Sequence, residues 1–166
     1  MPTQPRRIED FRILVVEDHP ESQELIVAYL RGFFNNIVTA PDGETALTLA
    51  AQEPPDLVLL DLMLPRMDGY EVCRRLRGNP ATATTAVIVV TALTKVENIE
   101  RAVEAGADDY LTKPINRAEL TLRVRSLLRL RHLRLELDET LALMDQLHIE
   151  DGRIWPAGRE GKPPSQ

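Results

Sequence analysis

Short runs of β-branched and other apolar residues alternate along this chain with longer stretches in which apolar residues recur at every third or fourth position. The short runs, residues 12–16, 36–40, 57–60, 86–90 and 108–111, have the length of strands. Those at 57–60 (Leu-Val-Leu-Leu) and 86–90 (Ala-Val-Ile-Val-Val) are apolar without a break, the character of strands covered on both faces. Ser22, Leu25, Ile26, Tyr29, Leu30 and Phe33 mark one face of a helix that opens at Pro20, a residue suited to a first helical turn. Further helices are expected over residues 44–52 and 70–77, up to Ala105 after Thr94, and from Arg117 onward. Asp68-Gly69-Tyr70-Glu71 and Thr94-Lys95-Val96-Glu97 fit the capping box, in which the first side chain caps a helix and the acid three residues later reaches back. Gly106 stands where a left-handed residue stops its helix. This alternation predicts a doubly wound α/β domain: a mostly parallel sheet with helices on both faces, joined by right-handed crossovers.

The chain of 166 residues accommodates one domain of ordinary size and an extension. A net charge of −6 argues against a general affinity for nucleic acid or an anionic membrane surface. The first ten residues lack a signal-peptide pattern and no apolar span is long enough for a bilayer. A cytoplasmic protein with no direct nucleic acid binding and no membrane partner is therefore expected. The one cysteine, Cys73, shares a helical face with Val72 and Leu76 and is expected in the core. Neither G-x-G-x-x-G nor G-x-x-x-x-G-K-[ST] occurs, which argues against dinucleotide or nucleoside triphosphate binding.

The chemistry-bearing residues collect at strand ends, where open α/β sheets place their sites. Glu17-Asp18 follow the first strand, Asp61 the third, Thr91-Ala92 the fourth and Thr112-Lys113-Pro114 the fifth, so a parallel sheet turns them all into one crevice. Three carboxylates held together repel one another, and a small hard divalent cation, Mg²⁺ being the common one, relieves that repulsion. An ammonium and a hydroxyl beside them suit an anion. The set is fit for a carboxylate oxygen to attack phosphorus, with the metal and Lys113 neutralising the oxygens of the transferring group and Thr91 donating a hydrogen bond. The competing reading is a structural ion-pair network at the sheet edge. His19, with no partner at ligand spacing, is expected as a helix-entry residue.

These residues carry a resemblance. From Phe11 to about Arg129 the chain resembles the receiver domain of bacterial two-component response regulators, on Glu17-Asp18, on Leu60-Asp61-Leu62-Met63-Leu64-Pro65-Arg66-Met67-Asp68-Gly69, on Thr91-Ala92 and on Ala107-Asp108-Asp109-Tyr110-Leu111-Thr112-Lys113-Pro114. The resemblance implies a CheY-like, flavodoxin-like five-stranded sheet of order 2-1-3-4-5. It implies that Asp61 accepts a phosphoryl group from a sensor histidine kinase or a histidine phosphotransfer protein, with Mg²⁺ as cofactor. Phosphorylation and dephosphorylation at Asp61 are then the only enzymatic activity expected. Asp18 and Asp61 are implied as direct metal ligands, Glu17 through water, and Met63 through its carbonyl. Thr91, the Ala92 amide and Lys113 are implied as phosphate-binding groups, Thr91 and Tyr110 as the switch that responds, and Lys113-Pro114 as a cis peptide.

Past the receiver the helical pattern does not stop. Leu120, Val124 and Leu127 supply a core face of normal length, and Leu130, Leu133, Leu137, Leu141, Met144 and Leu147 continue at three- and four-residue spacing without Gly or Pro until Gly152. One helix of about 45 Å, from Arg117 to about His148, is predicted. The expected organisation is a flexible leader (1–10), a receiver domain (11–129), a helical coiled-coil extension (130–149) and a disordered tail (150–166) rich in Gly and Pro. The leucine seam predicts a homodimer. Arg123, Arg125, Arg129, Arg131 and Arg134 precede Glu136, Asp138, Glu139 and Asp145, so an antiparallel pair matches charges better, whereas the family's two-fold dimers favour a parallel one. Asp109, Glu119 and Arg123 stand where winged-helix regulators form intersubunit ion pairs, with Ile99 where that class has a basic residue. No effector domain fits after the helix, so output through a partner is expected. The alternatives are a phosphorelay intermediate, a phosphate sink, or the receiver part of a regulator whose output domain is absent.

Overall fold

The computed structural model describes residues 6–150 and 153–156. Five strands, β1 (Arg12–Val16), β2 (Asn36–Ala40), β3 (Leu57–Asp61), β4 (Ala86–Thr91) and β5 (Asp109–Thr112), form one sheet in the order β2-β1-β3-β4-β5. All four pairings are parallel, as the doubly wound pattern requires. Between the strands run α1 (Pro20–Leu30), α2 (Gly43–Gln52), α3 (Gly69–Gly78) and α4 (Val96–Glu104), and α5 (Arg117–Asp145) follows the last strand.

Alternation along each buried strand sends successive side chains into opposite layers, which is why both layers need apolar residues and the strands read as unbroken runs. Ile13, Val15, Leu57, Leu59, Ile88 and Val90 face Ile26 and Leu30 of α1 and Leu120, Val124 and Leu128 of α5. Leu14, Val16, Val58, Leu60, Val87 and Val89 face Ala46 and Ala50 of α2, Val72, Cys73 and Leu76 of α3, and Ala102 of α4. Cys73 is thus a core residue, and Leu128 rather than Leu127 completes the buried stripe of α5.

Several local expectations change. Residues 8–10 form a 3₁₀ turn instead of a loose leader. Ile8 packs on the core, and the Asn35 amide donates to the Glu9 carbonyl at 2.8 Å. Asp68 caps α3 by accepting from the Glu71 amide at 2.9 Å, but Glu71 does not reach back; it binds Arg74 and Arg75 on its own helix. Oppositely charged side chains three and four residues on offer that carboxylate a better partner than a backbone amide. Thr94 is no cap: α4 begins after Lys95, without a side-chain cap bond. Gly106 has the expected left-handed backbone, at φ 103°.

The chain divides into two compact units, residues 1–131 and 132–166. The long helix exists, but it ends at Asp145. Leu147–Glu150 and Arg153–Pro156 then pair antiparallel as β6 and β7, so residues 147–150 and 153–156 belong to a hairpin and not to helix or disordered tail. Residues 157–166 of the expected tail lie outside the described residues.

Candidate functional site

The strand register brings the carboxyl ends level: Val16 stands opposite Leu60, Asp61 opposite Val90, and Thr91 opposite Thr112. Asp61, the last residue of β3, is 4% exposed, and Glu17, just past β1, is 1% exposed. Two carboxylates buried so deeply need a countercharge. Lys113 supplies it, its ammonium lying 2.7 Å from Glu17 Oε2 and 2.7 Å from Asp61 Oδ2. Burial lowers the affinity of Lys113 for its proton, but the hydrogen bonds to Asp61 and Glu17 and their charges outweigh it, and its pKa is raised. The peptide between Lys113 and Pro114 is cis.

The remaining Asp61 oxygen, Oδ1, accepts the Met63 amide at 2.9 Å. Glu17 Oε1 accepts the His19 amide at 3.1 Å. Asp18 is left differently. Its Oδ1 is buried without a hydrogen bond, and His19 Nδ1 lies 3.0 Å away, close enough for charge attraction. His19 stands at the N-cap of α1 with Pro20 behind it, the helix-entry place expected of it. Its ring nevertheless leans on the acids, and the Asp18 charge first, then the Glu17 hydrogen bond, raise its pKa. Glu17, Asp18 and His19 can bring three ligand atoms within 4.8 Å of one another.

Thr91 closes the far side. Its hydroxyl accepts the Leu93 amide at 3.1 Å, and its carbonyl accepts the Lys113 amide at 2.9 Å, which ties the β4 and β5 ends together. Ala92 is exposed next to it. Tyr110, on β5, is 38% exposed, so its ring is not packed inside the domain. Asp109 and Glu119 are both bound to Arg123 of the same chain, Asp109 through two contacts of 2.8 Å.

Two features of the wall escaped the sequence reading. Asp42 caps α2 by accepting the Thr45 amide at 2.8 Å and also binds Arg66 at 2.9 Å, pinning the loop after β3 across to α2. Asp42 before Gly-Glu-Thr was a readable cap signal; Arg66, at φ 67°, was not, since an arginine rarely adopts a left-handed backbone. Gly69 lies against the backbone that carries Asp61: a Cβ there would overlap the Asp61 carbonyl oxygen and stand 2.7 Å from Leu62 Cα. The Asp-Gly pair at 68–69 is thus both cap and clearance for the acid.

The strand ends of this doubly wound domain gather buried acids, a lysine and a hydroxyl at one rim of the sheet, and comparison with known proteins identifies its family. The profile of the response regulator receiver domain family matches residues 13–125. The chain belongs to that family. It is 46% identical over 118 residues to the response regulator PleD of Caulobacter vibrioides, across 71% of this chain and 26% of that protein. It is 45% identical over 118 residues to the DNA-binding response regulator MtrA of Mycolicibacterium smegmatis, across 71% of this chain and 50% of that protein. The chain thus spans a quarter to a half of these relatives. A receiver domain of a Pseudomonas aeruginosa sensor histidine kinase, solved with magnesium coordinated in its active-site cleft, superposes with a TM-score of 0.67 at 34% identity, covering 72% of this chain and 98% of that one. Receiver domains act with sensor histidine kinases. Among the described residues, no helix is long and apolar enough to cross a membrane.

Proposed function

We propose that the domain is a phosphorylation-controlled switch in which Asp61 is the nucleophile. The observation that supports this most directly is a nearly buried carboxylate whose Oδ2 is held at 2.7 Å by Lys113 at the mouth of the sheet. An Asp61 oxygen attacks the phosphorus of a phosphohistidine on a sensor kinase or histidine phosphotransfer protein; the O–P bond forms as the P–N bond breaks, and the imidazole leaves. Lys113 then turns from the free carboxylate to the new phosphoryl oxygens, so one ammonium stabilises both states. Thr91 gives up its bond with the Leu93 amide and donates to the phosphoryl group, aided by the Ala92 amide. Tyr110 turns inward into the space that the hydroxyl leaves.

The site fits a divalent cation. Asp18 Oδ1 is a buried oxygen with no hydrogen bond, and beside the His19 imidazole the donors near it are carboxylates, the ligand type of Mg²⁺. Asp18 and Asp61 would hold the ion directly, Glu17 through water and Met63 through its carbonyl; bound there, it would supply the positive charge that lets an anion approach three acids.

The switch acts on a partner as a homodimer. Leu130, Leu133, Leu137, Leu141 and Met144 are all at least half exposed on one stripe of α5, opposite the face that Leu120, Val124 and Leu128 bury. A second copy aligned in parallel covers that stripe.

The test is Asp61→Asn, which keeps the shape of the side chain and removes the nucleophile. The protein should take one phosphoryl group from a phosphorylated kinase or a small phosphodonor, located at Asp61 by mass spectrometry, and the variant none at unchanged circular dichroism. Stoichiometric labelling of the variant at another residue would overturn the assignment.

A further inference from the structure

At the other end of the sheet a third carboxylate is buried. Asp56, the residue before β3, has a side chain only 5% exposed and is closed in by the guanidinium groups of Arg6 and Arg131 and by the backbone amide of Arg12. Its Oδ2 accepts the Arg12 amide at 2.8 Å and lies 2.9 Å from the Arg6 guanidinium. Its Oδ1 takes Arg6 and, at 3.3 Å, Nε of Arg131 from α5. Asp56 is itself fixed, its amide donating to the Arg12 carbonyl at 2.8 Å and its carbonyl accepting the Ala86 amide at 3.1 Å. Arg131 spans from this carboxylate to Thr84, whose carbonyl and hydroxyl oxygens both accept its other nitrogen. The next residue, Thr85, donates its hydroxyl to the Pro55 carbonyl at 2.9 Å, so the two acceptor segments are sewn together before Arg131 arrives.

Arg131 occupies a telling place in α5. Leu120, Thr121, Val124 and Leu128 are the buried residues of the helix, and Arg131 is the next on that stripe. Apolar burial therefore ends at Leu128, and a guanidinium bound to a buried acid and a backbone carbonyl follows it. The part of α5 beyond, residues 132–145, is of a length that holds helix poorly in water without an anchored start.

We propose that Asp56 and Thr84 form a latch for Arg131, and that this latch carries helical order from Leu128 into the part of α5 beyond the receiver. The dependence is reciprocal: whatever holds the outer helix, a second copy included, also tightens Arg131 onto Asp56. Arg6 straps residues 6–10 to the same carboxylate and, among the described residues, makes no hydrogen bond or ion pair with α5, which makes it the natural comparison.

The experiment is backbone hydrogen exchange on the full chain with Arg131→Met and, separately, Arg6→Met. Methionine keeps an unbranched stem and matches arginine in helix propensity, so only the guanidinium contacts are lost. In Arg131→Met the amides of residues 131–142 should exchange at least about tenfold faster, the loss expected for one hydrogen bond to a charged group. Amides of β3 and β4 should keep their rates, and labelling of Asp61 by a phosphodonor should be unchanged. Arg6→Met should leave residues 131–142 as protected as before. Unchanged exchange of residues 131–142 in Arg131→Met, an equal rise in β3 and β4, or the same loss of helix protection in Arg6→Met would each overturn the latch.

Discussion

Gly69→Ala is a one-methyl test of how the acid is held. The added carbon would overlap the Asp61 carbonyl oxygen and stand 2.7 Å from Leu62 Cα and 3.0 Å from the Asp61 carbonyl carbon. All three are backbone atoms, so no side chain can swing away. Restoring ordinary contacts of about 3.5–4.0 Å needs a shift of roughly 1 Å between the end of β3 and the start of α3. Overpacking of this kind costs about 1–3 kcal/mol. Weakening the 2.9 Å bond from the Gly69 amide to the Leu62 carbonyl adds about 0.5–1.5 kcal/mol. The gain in helix propensity returns about 0.5–1 kcal/mol. The net loss of about 1–3 kcal/mol lowers the thermal midpoint by about 5–12 °C for a domain of this size. A nucleophile displaced by that distance also loses labelling rate by about 100-fold. Gly78→Ala, at the other end of α3 with nothing within 4 Å, is the control and should unfold no earlier than the unmodified protein. Thermal unfolding followed by circular dichroism, with phosphodonor labelling of Asp61, reads both effects. A Gly69→Ala protein with the unmodified midpoint and labelling rate would refute the reasoning.

Three other outcomes are expected. Mg²⁺ titrated calorimetrically should bind undetectably to Asp18→Asn and only several-fold more weakly to Glu17→Gln, since a direct ligand is lost in one and a water-mediated one in the other; equal losses would contradict that division. Burial foremost, only partly opposed by the Arg77 charge, holds the Cys73 thiol above its ordinary pKa of 9.0. The folded state therefore keeps the thiol proton longer than the unfolded chain, and the stability this gives is present at neutral pH and lost as pH rises past 9. At pH 8 a thiol reagent should modify the native protein at least about tenfold more slowly than the denatured chain, and similar rates would place the thiol at the surface. Finally, Leu133→Glu combined with Leu137→Glu should halve the molar mass in light scattering while Asp61 still accepts phosphate; an unaltered mass would put any dimer contact elsewhere.

Most of the fold was legible because burial on both faces leaves an unmistakable mark: Leu57 to Leu60 and Ala86 to Val90 admit no polar residue, and the order of strands and helices follows from such runs. The site was legible for a related reason. Acids at Glu17, Asp18 and Asp61 break the apolar pattern at strand ends, and the parallel register makes those ends neighbours. What escaped depended on competition between partners. Glu71 had two arginines within reach as well as a cap to close, and spacing alone does not say which wins. The turn of His19 toward Asp18 and Glu17, and the Asp42–Arg66 bond, join residues whose pairing is set by loop shape. The hairpin at the end of α5 was hidden because a leucine at 147 continues the helical spacing as well as it opens a strand.

Asp56, just before β3, and Asp61, its last residue, stand about 17 Å apart at the usual rise. Residues 6–10 come in beside the first, and α5 passes it at Arg131, while the second faces the opposite rim. Entry to and exit from the receiver therefore share a floor, and the acids, lysine and hydroxyl around Asp61 occupy the ceiling. A receiver wired in this way is joined to its neighbouring segments at one end of the sheet and presents Asp61 at the other.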